Sequence, residues 1–346
     1  MILYFSYIAF LILLWIVLKG EKKKLIFIII ASFALTLIIG LRDKSVGIDT
    51  KSYCEDYLRY HVISWKQIMN GGSHIGFYVY SKILSMIAPN SYTFFLFVTG
   101  AIISISLGFF IYKNSTNPLL SFIIVFSLEY VFFFMSGLKQ TLAMSLLMVA
   151  YQYMKDKKII KFGLLILLAT LFHTSALIFV IAYPVFHLKL KKSMILIFSI
   201  LLVFIGVNYS SNVFYIIRDL IGDSLFDQYG GDYISSLNYT GLFIQIALFA
   251  LVYILLYVFS NEKYNGLINI LILGLFFQSM TGILGEFFRI AMYFNMFIII
   301  ALPNAIGCMK KEKTLTYLIV GAVLLLYFST LSIRNFDYSV YKFFLN

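Results

Sequence analysis

Long uncharged apolar runs, separated by short loops whose charges are mostly lysines, constrain this chain more than any other feature. Residues 1–18, 25–41, 92–112 and 314–333 contain no charged side chain. An α-helix needs about 17–25 such residues to cross a hydrocarbon core. Inside that core each backbone N–H and C=O must find its partner within the segment, which selects helices. Only 12% of the 346 residues are charged, against about a quarter in a soluble domain. A soluble enzyme, a nucleic-acid-binding domain and a disordered regulator are excluded. The expected fold is all-α, a polytopic integral membrane protein.

The net charge of +12 looks like a polyanion-binding signature until it is located. Lys19 and Lys22–Lys24, then Lys155, Lys157, Lys158 and Lys161, then Lys189, Lys191 and Lys192, then Lys310, Lys311 and Lys313 all flank apolar runs. Short basic loops beside spans mark the cytoplasmic side. The first run has no basic residues before it and no small-residue cleavage pattern. It is therefore expected to stay as a span with its N-terminus outside. Further spans are expected at 118–135, 138–154, 193–208, 241–260, 266–284 and 290–309.

Two segments are too short to span simply. Residues 75–88 reach about 21 Å as a helix, short of a ~30 Å core, and are read as an interfacial or re-entrant helix within an outer segment, 42–91. Residues 159–188 have basic clusters at both ends. That predicts a short membrane hairpin with its tip at Phe172-His173-Thr174-Ser175. A second outer segment covers 209–240, and the tail from 334 lies outside. The expected whole is one transmembrane domain over 1–346, with about 12 transmembrane helices counted by span length. In this topology the full +12 falls on one face and the other balances to zero. Cys54 and Cys308 then lie on opposite faces and cannot bridge.

All five arginines (Arg42, Arg59, Arg218, Arg289, Arg334) fall on the outer side, and the inner basic residues are all lysine. Topology has no use for Arg over Lys, whereas phosphate and carboxylate recognition has. Four clusters stand out on that side. Arg42 leads through Gly47 and Asp49 to Tyr53. Gly137-Leu138-Lys139-Gln140 joins two spans, and Glu129 lies half a span earlier, where a carboxylate needs a partner such as Lys139 or a wet cavity. His173 sits at the hairpin tip, at membrane depth, where an ionisable group is functional by default and imidazole is the commonest general base. Glu286 and Arg289 share a helix face, with Tyr293 one turn on. The sequence has no phosphate-binding glycine loop, zincin pattern, zinc spacing or nucleophile elbow. No cofactor and no metal are expected.

In order, these motifs resemble the EpsG family of Wzy-like membrane polymerases of bacterial polysaccharide. R-x-x-x-x-G-x-D-x-x-x-Y is matched by Arg42, Gly47, Asp49 and Tyr53, and a following Gly-Phe pair by Gly76 and Phe77. A G-x-R-Q step corresponds to Gly137, Lys139 and Gln140. F-H-x-S-A corresponds to Phe172, His173, Ser175 and Ala176, and R-x-x-x-Y-F to Arg289, Tyr293 and Phe294. The chain departs from the pattern twice, with His74 where the family tends to have Glu and Lys139 where it favours Arg.

The resemblance implies polymerisation at the extracytoplasmic face of the bacterial plasma (inner) membrane, for O-antigen, capsule or exopolysaccharide. A polymer on undecaprenyl pyrophosphate would be transferred to a sugar hydroxyl of a new lipid-linked repeat unit. It further implies His173, Asp49 and Glu286 as catalytic candidates. Arg42, Arg289, Lys139, Gln140, Tyr53 and Tyr293 would bind pyrophosphate or glycan. The partners are lipid-linked oligosaccharide, membrane lipid, a flippase and a chain-length regulator, with no nucleic acid. An O-antigen ligase and a flippase or exporter of lipid-linked glycan are the alternatives. A polytopic acyltransferase fits less well, because His173 faces outward.

Overall fold

The apolar runs fold here as helices, several of them carrying a Gly or Pro within, and charged or polar residues separate most of them. The computed structural model describes residues 2–221, 239–258, 264–282, 287–334 and 340–344. Among the described residues regular structure is helical, apart from an isolated bridge between Arg42 and Phe343. The order is α1 (Ile2–Val17), α2 (Lys23–Gly40), α3 (Thr50–Tyr60), α4 (Trp65–Met69), α5 (Ile75–Ile87) and α6 (Tyr92–Asn114). Next come α7 (Pro118–Ser127), α8 (Tyr130–Ser136), α9 (Leu138–Lys155) and α10 (Ile159–Phe172). A 3₁₀ segment (Thr174–Ile181) leads into α11 (Ala182–His187), α12 (Lys192–Asn208) and α13 (Ser210–Ile221). The chain continues with α14 (Thr240–Val258), α15 (Asn265–Ser279), α16 (Phe287–Asn295), α17 (Ile298–Gly307) and α18 (Lys313–Arg334).

Five stretches are long and apolar enough to cross a membrane: α2, α6, most of α14, the α16–α17 stretch and most of α18. The bent pair α7–α8 makes a sixth if it counts as one broken span, and six shorter apolar helices accompany them. The expected figure of about 12 spans is therefore not reached by length and composition among the described residues. The expected continuous span 118–135 is bent by 63° at its middle. There Glu129 adopts φ 59°, a left-handed conformation that ends one helix and restarts another.

The chain ends of these helices segregate. Lys24 donates to the Ser115 carbonyl at 2.7 Å, Lys155 to Asn114 at 2.8 Å, and Thr116 N–H to Asn304 at 2.9 Å. Loops rich in lysine thus gather at one end of the bundle. The α16–α17 stretch is 94% buried and forms the axis, whereas α18 is 17% buried and lies at the rim. Helices α2 and α6 make the most extensive pair, approaching closely where Ser32 faces Gly108.

Candidate active site

The site is assembled at the other end of the bundle, beginning with the loop after α2. Arg42 emerges from the helix and turns back inside, fully buried. Its Nε donates to the Val46 carbonyl at 3.2 Å, and its terminal nitrogens donate to the carbonyls of Ile39 and, at 2.8 Å, Met135. The Thr50 hydroxyl also donates to Met135, at 2.6 Å. Gly47 makes this possible: at φ 99°, a Cβ there would stand 2.5 Å from the Met135 oxygen. The loop is thereby pinned to the α8–α9 corner. Arg42, expected as a pyrophosphate contact, is instead found holding this loop through backbone carbonyls. Asp49 occupies the position before α3, half-buried and making no capping bond. Glu286 lies outside the described residues.

Helix α3 carries Tyr53 onto Phe77 of α5, with ring centres 5.3 Å apart. Between them and Tyr78 sits the ammonium of Lys139, from the first turn of α9. It lies 5.8, 5.5 and 5.0 Å from the Tyr53, Phe77 and Tyr78 ring centres and 3.5 Å from the Tyr78 hydroxyl. Among the described residues no carboxylate pairs with it. Lys139 is therefore not the partner expected for Glu129, which lines a separate cavity of about 190 Å³ with Gln245 and Gln278. Lys139 also lines a cleft of about 450 Å³ with Asp56, Arg59 and Tyr60 of α3.

The hairpin tip meets α5 from the other side. Gly76 is required there, since a Cβ would lie 2.8 Å from Leu171 Cβ and 3.0 Å from its backbone. At the tip, His173 takes an extended conformation between α10 and the 3₁₀ segment. Its Nδ1 is 2.7 Å from the Ser175 hydroxyl and 3.2 Å from the Tyr293 hydroxyl of α16. The two hydroxyls are 3.0 Å apart, closing a triangle. One turn before Tyr293, Arg289 lies within electrostatic range of His173. Its carbonyl accepts from Gln140 Nε2 at 2.5 Å, which locks α16 to α9. His74, just before α5, stacks on His173 with ring centres 5.0 Å apart and planes inclined by 29°.

A family model, the EpsG family, matches residues 25–345, nearly the whole chain. The chain belongs to the EpsG family. This is a Wzy-like polymerase family, which supports a polysaccharide-polymerase-like role. No curated protein and no solved structure matches the chain.

The EpsG motifs, scattered over about 250 positions, are linked here by direct contacts: Tyr53 to Phe77, Gly76 to Leu171, His173 to Tyr293 and Gln140 to Arg289. Chemically, the cluster combines a charge-neutral imidazole network with two cations, an arrangement suited to an anionic ligand with a proton to move. Two of its members were undervalued by sequence reasoning. Ser175 reads as a structural hydrogen-bond partner for His173 and a motif position, not as a site residue, and His74 as a departure from a motif. A histidine three residues before the phenylalanine that floors the Lys139 cage was the available signal.

Proposed function

We propose that this EpsG-family chain joins lipid-linked glycan repeat units at the extracytoplasmic face of a bacterial plasma membrane. The donor is a polymer on undecaprenyl pyrophosphate, and the acceptor is a sugar hydroxyl of a newly delivered repeat unit. The observation that carries this reading is the convergence of His173, Ser175 and Tyr293 with Lys139 and Arg289 at the end of the bundle opposite the lysine-rich loops. A departing lipid pyrophosphate develops negative charge, and fixed cations oppose that charge in the transition state. Arg289 supplies a fork and Lys139 a point charge. The attacking hydroxyl must lose a proton, and the imidazoles are the groups suited to take or give one. A donor with a polyprenyl tail explains why such chemistry is built within a membrane bundle.

The reading is tested in a strain lacking the chromosomal copy, complemented with wild-type protein or His173→Ala. The variant is expected to accumulate single lipid-linked repeats in the outer leaflet, with long chains lost by about 10²–10⁴-fold. Repeats stalled in the inner leaflet would mean that the protein moves the lipid and does not join it. Normal elongation by the variant would remove His173 from the chemistry.

A further inference from the structure

The cleft beside Lys139 is built largely from residues that the chemistry above leaves unused. Helix α3 lends it Asp56, Arg59 and Tyr60, α4 lends Gln67, and α5 lends Tyr78. At about 450 Å³ it falls within the range of small-ligand sites, about 300–1,000 Å³. Lys139 and Tyr78 belong both to this cleft and to the aromatic cage. Tyr78 lies one turn after His74, so the cleft adjoins the cluster that holds the imidazoles.

Its walls are braced. Lys82 of α5 is buried, and its ammonium donates to the Tyr60 carbonyl at 2.9 Å and the His61 carbonyl at 3.0 Å. The Tyr57 hydroxyl faces the carbonyls of Leu84 and Ala88 at 3.0 and 2.8 Å. Both contacts fasten α3 to α5. At the start of α4, Ser64 and Gln67 cap each other, and Gln67 Oε1 accepts from the Ser64 backbone N–H. That bond fixes the Gln67 side chain and leaves its amide nitrogen as a donor. A Cβ on Gly71 would stand 3.1 Å from the Tyr78 ring, so the loop after α4 closes against that ring. Groups ordered in advance lower the cost of binding.

The lining suits a ring rich in hydroxyls. The Tyr60 and Tyr78 rings, with centres 6.2 Å apart and planes inclined by 48°, offer an aromatic surface to the C–H face of a sugar. Sugar hydroxyls both donate and accept, so they call for acceptors and donors side by side. Asp56 only accepts and Arg59 only donates. The two are exposed and three apart on one face of α3, yet among the described residues they form no ion pair. A phosphate would call for donors alone, and the Asp56 carboxylate repels it.

We infer that this cleft is a glycan subsite, holding a glycosyl unit of a lipid-linked repeat with Asp56, Arg59 and Gln67 on its hydroxyls. The inference rests on the polymerase reading above for the identity of that glycan. Lys139 stands at the junction between the subsite and the reacting end. Asp56, Arg59 and Gln67 determine which sugar is accepted and touch no reacting atom.

The probe is the oligosaccharide released by mild acid from the lipid-linked repeats of the deletion strain, which keeps the sugars and lacks the pyrophosphate. Saturation-transfer NMR on the full chain in nanodiscs is expected to show it bound to wild-type protein. Asp56→Ala and Arg59→Ala should each weaken binding at least about tenfold, as for a lost hydrogen bond to a charged group, at unchanged melting temperature. The two substitutions change the net charge in opposite directions, so a loss in both is not a general electrostatic effect. In proteoliposomes the same variants should raise KM for single repeats by a similar factor. If the free oligosaccharide is elongated, the occupant is the acceptor's glycan; if it inhibits without being elongated, the occupant is the donor's, and either result supports the subsite. Failure of wild-type protein to bind the oligosaccharide overturns it. So does binding by both variants as tight as wild type, or a loss in one variant matched by a gain in the other. Binding through Asp56 and Arg59 by a wild-type protein that leaves single repeats unelongated overturns the polymerase reading and keeps the subsite.

Discussion

The guanidinium of Arg42 donates to the main-chain carbonyl of Met135 at 2.8 Å, fastening the loop after α2 to a corner 93 residues further on. Burial draws its pKa down to about 10, still far above neutrality, so the group stays cationic. Removing it strands the buried carbonyls of Ile39 and Val46 and takes one of two side-chain donors from that of Met135. Arg42→Ala is expected to lower stability by about 3–5 kcal/mol, read as a fall in melting temperature of the detergent-purified protein. A melting temperature unchanged from wild type would show that the clamp is dispensable.

Gly76 sets the distance between α5 and the hairpin tip. An alanine methyl meets Leu171 backbone at 3.0 Å, and overpacking of this kind costs about 1–3 kcal/mol. Because His74 and His173 lie on the two elements forced apart, activity should suffer more than stability. A displacement of about 1 Å costs roughly 10²-fold in rate. Polymer length on gels, compared with protein level by blotting, checks this for Gly76→Ala.

Arg289→Lys keeps the charge and loses the fork. If the guanidinium contacts pyrophosphate, the rate should fall about 10²–10³-fold, or about 2.7–4 kcal/mol, at unchanged expression. A variant that elongates normally removes Arg289 from the phosphate site.

The pH profile follows from the groups that face His74: Lys139 from α9, His173 from the hairpin, and beyond it Arg289 from α16. Burial lowers the His74 pKa most, and the Lys139 ammonium lowers it further, to about 4. If the His74 imidazole takes the acceptor's proton it must be neutral, and a lowered pKa keeps it neutral further into acid. Accordingly kcat/KM should hold from pH 7 to about 5 and fall as pH drops through about 4. Lys139→Met removes one depressing charge and should move that acid limb upward, toward the ordinary histidine value of about 6.5. A limb that stays in place in Lys139→Met separates His74 from the profile.

The native thiols make poor reporters of orientation. Cys54 is fully buried, and burial pushes its thiol up to about 12, while Cys308 is half-buried and donates to the Asn304 carbonyl. Exposed Ser52 and Lys310 replace them. On a background lacking both cysteines, an impermeant maleimide added to spheroplasts should label Ser52→Cys and spare Lys310→Cys. The reverse pattern would invert the topology.

How much was legible follows from how far apart the deciding residues are. An uncharged apolar run announces a helix because its backbone must satisfy itself locally, and lysine at the run's end marks where it stops. The hairpin break at His173 and the ends of α2 and α6 follow from such runs. Which residues carry the EpsG motifs was also legible. Partnership was not. Arg42 reads as a phosphate fork until the Met135 carbonyl is found beside it. Glu129 reads as needing Lys139 or a cavity, and the choice falls to the cavity once that ammonium is found among three rings. His74 reads as a deviation until it is stacked on His173, 99 positions away. Local pattern determines which segments are helical, because it depends on neighbours three or four residues off. Which donor meets which acceptor depends on contacts between helices, and only the packed bundle decides those.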